Sequence, residues 1–334
     1  MHLDRAEELG FELSGFRHRR TSNVEDHARC FSGWKLHYNQ VTKGLFEGSI
    51  TELDLQGMQL IRDCSNQAMV KSGEAWEGAV TFSLPLALNV HNFYCDGHEI
   101  NVQSVLAASG DHLPDLRTPA GIDLLCVAVE RSLLEDILER QQRDFKLDLS
   151  VAPGCFHLTN PACREDLVAL VDSVFGGQDS QGRKLMAYAA IRAGIRDTVL
   201  MHLLDLVDCE AVISLPTTAR KLIVDRACEY ALANPDAPPS IIDLCNRVGA
   251  SRRKLQYCFQ ETLGINPVAY LRMLRLNAVH RELLQPHSYM AVQDIAMHWG
   301  FWHLSRFSSE YRQLFGELPS DTLRRARKDF ADFG

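Results

Sequence analysis

Residues 243–283, DLCNRVGASRRKLQYCFQETLGINPVAYLRMLRLNAVHREL, and residues 294–320, DIAMHWGFWHLSRFSSEYRQLFGELPS, carry one pattern twice. The first copy runs Asp243-Leu244-Cys245, then Phe259, Gly264 and Pro267; the second runs Asp294-Ile295-Ala296, then Tyr311, Gly316 and Pro319. In both, the aromatic-to-glycine step is five residues and the glycine-to-proline step is three, and the second copy is one residue longer before its aromatic. A period of about fifty residues marks a duplicated supersecondary unit.

Each copy has the mechanics of a helix-turn-helix. In the first, Ile241–Arg247 reads as a short helix, Gly249 permits a tight turn, and Ser251 caps the next helix by accepting from its free N–H groups. Leu255, Phe259 and Leu263 lie four apart and face inward, which leaves Arg252, Arg253, Gln256, Tyr257 and Gln260 outside. Arginine pairs bidentately with guanine and glutamine with adenine, so this outer face suits base reading in the major groove of double-stranded DNA. In the second copy Gly300-Phe301 makes the turn and Phe307, Tyr311 and Leu314 form the inner stripe. Leu304, Ser305, Arg306, Ser308, Ser309 and Arg312 stay outside. A long helix from Pro267 to Leu284, with proline in its first turn, joins the copies, and Arg272, Arg275 and Arg281 are expected to project from it. Such a rod holds two recognition helices at a separation suited to successive major-groove faces, ~34 Å apart.

These two stretches resemble the AraC/XylS family of bacterial transcription regulators. The resemblance implies that Arg253, Gln256 and Tyr257 are base-reading positions of the first unit and that Leu304, Ser305 and Ser309 are those of the second, with Arg306 beside them. The sequence departs from the family pattern at His303, where Ser, Asp or Asn commonly caps the helix, and at Ser309, where Arg is frequent. The phrases SRRKLQ, RLNAVHREL and GFWHL are most similar to the subgroup containing the ethanolamine-operon activator EutR and the quorum-sensing and virulence regulator CdpR. That likeness implies a β-rich sensory domain, with helices that mediate dimerisation, ahead of the DNA-binding domain.

Charge divides the chain in the same place. Residues 1–216 hold 19 basic and 31 acidic side chains, whereas residues 217–334 hold 16 and 12. Only the C-terminal part is expected to meet a polyanion. With apolar residues at 46% of the 334, two domains can each bury a core. The opening MHLDRAEELG lacks an apolar stretch and is not read as a secretory signal. The longest largely apolar run, Ala79–Val90, is too short to span a bilayer. Ten cysteines, scattered singly, fit reduced thiols in a cytoplasmic protein rather than a disulfide framework.

Upstream, Ser49–Leu55, Met58–Asp63, Ala79–Leu84 and Ile122–Val129 read as short strands between turn signals such as Asp96-Gly97. Their spacing predicts a cupin-like β-sandwich or barrel. Helices are expected at 131–145, 164–175 and 182–207. In the last, Tyr188, Ile191, Ile195, Val199, Leu203 and Leu206 make one apolar face for internal packing or a homodimer seam. The fold class is therefore α+β: a β-rich regulatory domain over 1–207, a linker over 208–218 containing Pro216, and an all-α domain over 219–330. His91, His98 and Glu99 lack metal-cupin spacing, so no metal or other cofactor is expected. Trp34, Trp76, Phe82 and Phe93 are candidates to line a pocket or fill the core, and Asp111, His112 and Arg117 are candidates for ligand contact in a loop. Neither a Ser/His/Asp set nor a phosphate-binding glycine loop stands out. The expected function is a dimeric DNA-binding regulator switched by a small molecule or protein partner, rather than an enzyme. The rival reading, a cupin-type enzyme with a helical appendage, does not account for the duplication.

Overall fold

The computed structural model describes residues 15–87, 91–143, 148–149, 151–158, 161–176, 184–285 and 290–331. The opening decapeptide, the end of the run to Val90, residues 144–145 of one expected helix and 182–183 of another lie outside the described residues.

Thirteen strands form among the described residues of the N-terminal part. They are β1 (Phe16–Thr21), β2 (Lys35–Gln40), β3 (Gly48–Asp54), β4 (Met58–Ser65), β5 (Met69–Glu74), β6 (Ala79–Pro85) and β7 (Tyr94–Cys95). There follow β8 (His98–Glu99), β9 (Ser104–Ser109), β10 (Leu113–Thr118), β11 (Ile122–Glu130), β12 (Gly154–Leu158) and β13 (Val207–Ser214). Four helices accompany them: α1 (Val24–Arg29), α2 (Arg131–Arg140), α3 (Pro161–Gly176) and α4 (Ala189–Leu206). One sheet has the order β1-β3-β4-β11-β6-β9-β12-β13 and the other β2-β5-β10-β7-β8, with antiparallel neighbours throughout.

The two-residue period of β11 explains the layering. Leu125, Val127 and Val129 point to one face, where they pack with Leu134 and Leu138 of α2, Leu167 and Val171 of α3, and Val199 and Leu203 of α4. Ile122, Leu124 and Cys126 point to the other, toward Tyr38 and Met69 of the second sheet. Each such buried aliphatic contributes about 1.5–3 kcal/mol. The back of the second sheet then carries the helical C-terminal part, because Val41, Ala68 and Val70 belong to the same apolar cluster as Val224, Phe259 and Leu274.

Two expectations change. The segment 208–218 is not a free linker: Val207–Ser214 is an edge strand paired with β12, with Val212 opposite Phe156 and packed on the core. Its β-branched content favours a strand, and only the stretch from Leu215 to Thr218 connects irregularly. The apolar stripe expected over 182–207 is also divided. Val199, Leu203 and Leu206 are buried in their own domain, while Tyr188 and Ile191 are 64% and 41% exposed. Internal packing therefore takes the C-terminal half of that stripe. Strands β1 and β2, upstream of the expected strand region, were not anticipated because their basic and polar residues obscure the alternation.

Candidate nucleic-acid interface

The C-terminal helices are α5 (Ala219–Leu232), α6 (Ile241–Val248), α7 (Arg252–Leu263), α8 (Pro267–Leu283), α9 (Val292–His298), α10 (Leu304–Phe315) and α11 (Pro319–Ala331). Local chemistry sets their ends. Ser240 and Asp243 cap α6 reciprocally, and Gly249 leaves it in the left-handed region at φ 66°. Ser251 Oγ accepts the Lys254 N–H at 3.2 Å, as its position predicts, and Asn266 does the same for α8 through Ala269 N–H at 2.9 Å. At the second recognition helix, α10, His303 makes no side-chain cap, in keeping with its departure from the usual residue types.

The inner stripes are buried as expected: Leu255, Phe259 and Leu263 in one cluster, Phe307, Tyr311 and Leu314 in another. The predicted outer residues are exposed, with Arg252, Arg253, Gln256 and Tyr257 on α7, and His303, Leu304, Ser305, Arg306, Ser309 and Arg312 on or before α10, except Ser308, which is half-buried. Trp302, not singled out from sequence, is 64% exposed in the turn before α10. Arg306 is not a free cation, since its Nε meets Glu310 at 2.9 Å.

The arginines of α8 do not project as expected. Arg272 pairs with Glu310 and, like Arg275, lies against the Phe301 ring. Arg281 donates to Asn39 at 3.0 Å and pairs with Glu25 at 3.5 Å, both in the N-terminal part. The helix is sandwiched between units and sheet, so its long cations satisfy neighbours rather than solvent. His280 of α8, also buried, accepts or donates at 2.6 Å to the Tyr311 hydroxyl and stacks on Phe315 at 4.3 Å. Burial pushes its pKa down to about 3.

The N-terminal part holds this helical frame at both recognition helices. Gln40 N–H donates to Asn277 Oδ1 and Asn277 Nδ2 donates to the Gln40 carbonyl, each at 3.0 Å. Gln40 Nε2 donates to the Leu314 carbonyl at 2.6 Å, and Gly44 N–H to the Gln313 carbonyl at 3.1 Å, at the C-terminal end of α10. Arg117 of β10 approaches Gly264 at the C-terminus of α7, where a cation meets the negative end of the helix dipole. Lys221 of α5 reaches Asp115 of β10 at 2.5 Å.

Strands β2 and β10 have a second face. Leu36, Tyr38 and Leu116 line an apolar cavity between the sheets, together with Phe31, Trp34, Leu106 and Leu124. Two strands that border this space thus also bear Gln40, Asp115 and Arg117. In its lining Lys71 Nζ lies 2.5 Å from Asp63, whose other oxygen is 2.9 Å from His27 Nε2. Burial alone would raise the Asp63 pKa, but Lys71 and His27 overcome that and hold the carboxyl below its ordinary range. Of the four aromatics proposed for a pocket, Trp34 lines the cavity and Phe82 and Phe93 are core, while the Trp76 indole donates to Gln59. Among the other candidates, His98 bonds the Pro216 carbonyl at 2.8 Å, and Asp111 accepts from Gly78 N–H at 3.1 Å. Arg117 is in a strand rather than a loop, over the Tyr94 ring.

Comparison with known proteins locates the resemblance. A helix-turn-helix domain family matches residues 244–325. The chain is 38% identical over 119 residues to a probable thc operon regulatory protein of Rhodococcus erythropolis, covering 35% of this chain and 36% of that protein. It is 39% identical over 109 residues to XylDLEGF operon transcriptional activator 3 of Pseudomonas putida, covering 32% and 33%. A solved structure of a probable AraC family transcriptional regulator from Rhodopseudomonas palustris is 36% identical, covering 32% of this chain and 98% of that one, with a TM-score of 0.30. The chain spans about a third of the length of the curated relatives it matches. Two helix-turn-helix units share one connecting helix and the family match falls on them, so the C-terminal segment of this chain belongs to the AraC/XylS family of helix-turn-helix DNA-binding domains.

Proposed function

We propose that the whole chain is a cytoplasmic, sequence-specific transcriptional regulator, with 1–207 as regulatory domain and 219–330 as DNA-binding domain. One observation carries this reading: both recognition helices bury a matched apolar stripe and leave a polar, hydrogen-bonding face exposed. Arg253, Gln256 and Tyr257 read bases from α7, with Arg252 on the backbone. On α10, Leu304, Ser305 and Ser309 face the groove and Arg312 and His303 contact phosphate. Arg306, already paired, contributes less. Specificity is concentrated in the first unit.

Switching follows from the shared strands. Whatever occupies the cavity presses on β2 and β10, which grip α8, α10, α7 and α5 through Gln40, Arg117 and Asp115. A ligand that binds one arrangement better shifts the population toward it. The protein acts as a homodimer, with the exposed Tyr188 and Ile191 side of the α4 region in the contact. By likeness to the EutR and CdpR subgroup, its targets are metabolic or quorum-sensing and virulence genes. Full-length protein titrated against fragmented genomic DNA tests the reading: discrete bound sites support it, and uniform binding to all fragments refutes it.

A further inference from the structure

The cavity between the sheets says what its occupant is like. Its wall is mostly apolar and includes three aromatic side chains, Phe31, Trp34 and Tyr38. The space is small, about 50 Å³, where one water needs roughly 10–15 Å³. Its occupant is therefore small, and the aromatic lining suits a ring. Asp63, Lys71, Ser72, Thr81 and Ser83 bring polar groups to the lining. Lys71, 5% exposed, lies 4.9 Å from the centre of the Tyr38 ring and pairs with Asp63 alone among the described residues. An ammonium has three donors, so Lys71 keeps N–H groups to offer a guest. Its charge, however, is already matched. Asp63 is 1% exposed and holds both Lys71 and His27, and His27 in turn meets Thr21 Oγ1 at 2.8 Å. A second carboxylate here would lie beside the buried Asp63 carboxylate, and like charges repel strongly in a poorly solvated site. An uncharged acceptor incurs no such cost.

We infer that the cavity binds a small, uncharged, single-ring molecule whose one carbonyl-type oxygen accepts a hydrogen bond from Lys71. This names the ligand class for the regulatory reading above and rests on it only for the consequence at DNA. The ring lies against the apolar part of the lining, which includes Trp34, Leu36 and Leu116, with its oxygen at Lys71.

The test uses the full chain and two probes of the same ring and size, acetophenone and benzoate, with calorimetry and melting. Acetophenone should bind saturably and raise the melting temperature, with benzoate at least tenfold weaker. Ala108→Trp, which fills the cavity from β9, should abolish acetophenone binding while the far-ultraviolet spectrum and DNA binding persist. Paired replacement Lys71→Met with Asp63→Asn removes both charges together and should weaken acetophenone about tenfold. Tighter binding of benzoate, or acetophenone binding that survives Ala108→Trp, overturns the proposal. So does a full chain that binds specific DNA but takes up neither probe. Acetophenone binding that leaves DNA affinity unchanged upholds the ligand class and overturns the switching reading instead.

Discussion

Replacing Asn277 with leucine tests whether the sheet domain truly holds the helical frame. The Asn277 side chain is 3% exposed and bonds both the N–H and the carbonyl of Gln40 at 3.0 Å, as a strand partner would. Leucine has nearly the same volume, so no large cavity opens, but both Gln40 backbone groups are left buried and unpaired. Each such orphan costs about 1–3 kcal/mol, so the change should destabilise the chain by about 2–6 kcal/mol. The Met273 carbonyl also loses a bond, yet it retains helical partners and adds little. Urea unfolding followed by tryptophan fluorescence reads the loss as a lower midpoint. A loss below about 0.5 kcal/mol would refute the clamp.

Other outcomes follow from the same geometry. Arg253→Ala should lose roughly 1–3 kcal/mol on a cognate site and relax preference at one base pair, whereas Arg312→Ala should weaken all sequences alike and flatten the salt slope by about one unit; equal losses on cognate and random DNA for Arg253→Ala would make it a phosphate clamp. Gly316→Ala should destabilise by about 1–3 kcal/mol, because φ is 77° and an added Cβ would lie 2.9 Å from the Leu45 backbone; an unchanged melting temperature would contradict that contact. For His280, burial lowers the pKa to about 3 from an ordinary 6.5, so the unfolded chain takes up a proton that the folded one refuses. Stability contributed by this site is full above pH 6.5 and falls toward pH 3 by at most about 1.4 kcal/mol per unit. His280→Gln should flatten that decline, and an identical pH profile for both proteins would refute it.

Much of the interface was legible because it repeats. Gly249, Ser251, Gly264, Pro267 and Gly316 are residues whose backbone or capping chemistry acts within a few positions, so sequence alone locates the turns and recognition helices. The inner stripes follow from four-residue spacing. What sequence could not show was tertiary. Arg272, Arg275 and Arg281 have the composition of a solvated face, yet α8 is covered on both sides and they find partners in Glu310, Phe301, Glu25 and Asn39. The strand at Val207–Ser214 gave no clear period because it lies at an edge, with Val212 inward and Ile213 47% exposed. Likewise, the cavity is lined from seven strands and one loop, and only Trp34 among its aromatics was anticipated.

The central claim is sequence-specific recognition of DNA by the duplicated unit. Its most direct test is competition of full-length protein between enriched genomic sites and random DNA as salt is raised. The account predicts a preference of about 10³ or more for particular sites and a log–log salt slope of several negative units. Binding that is equally weak on every sequence at low salt would contradict it.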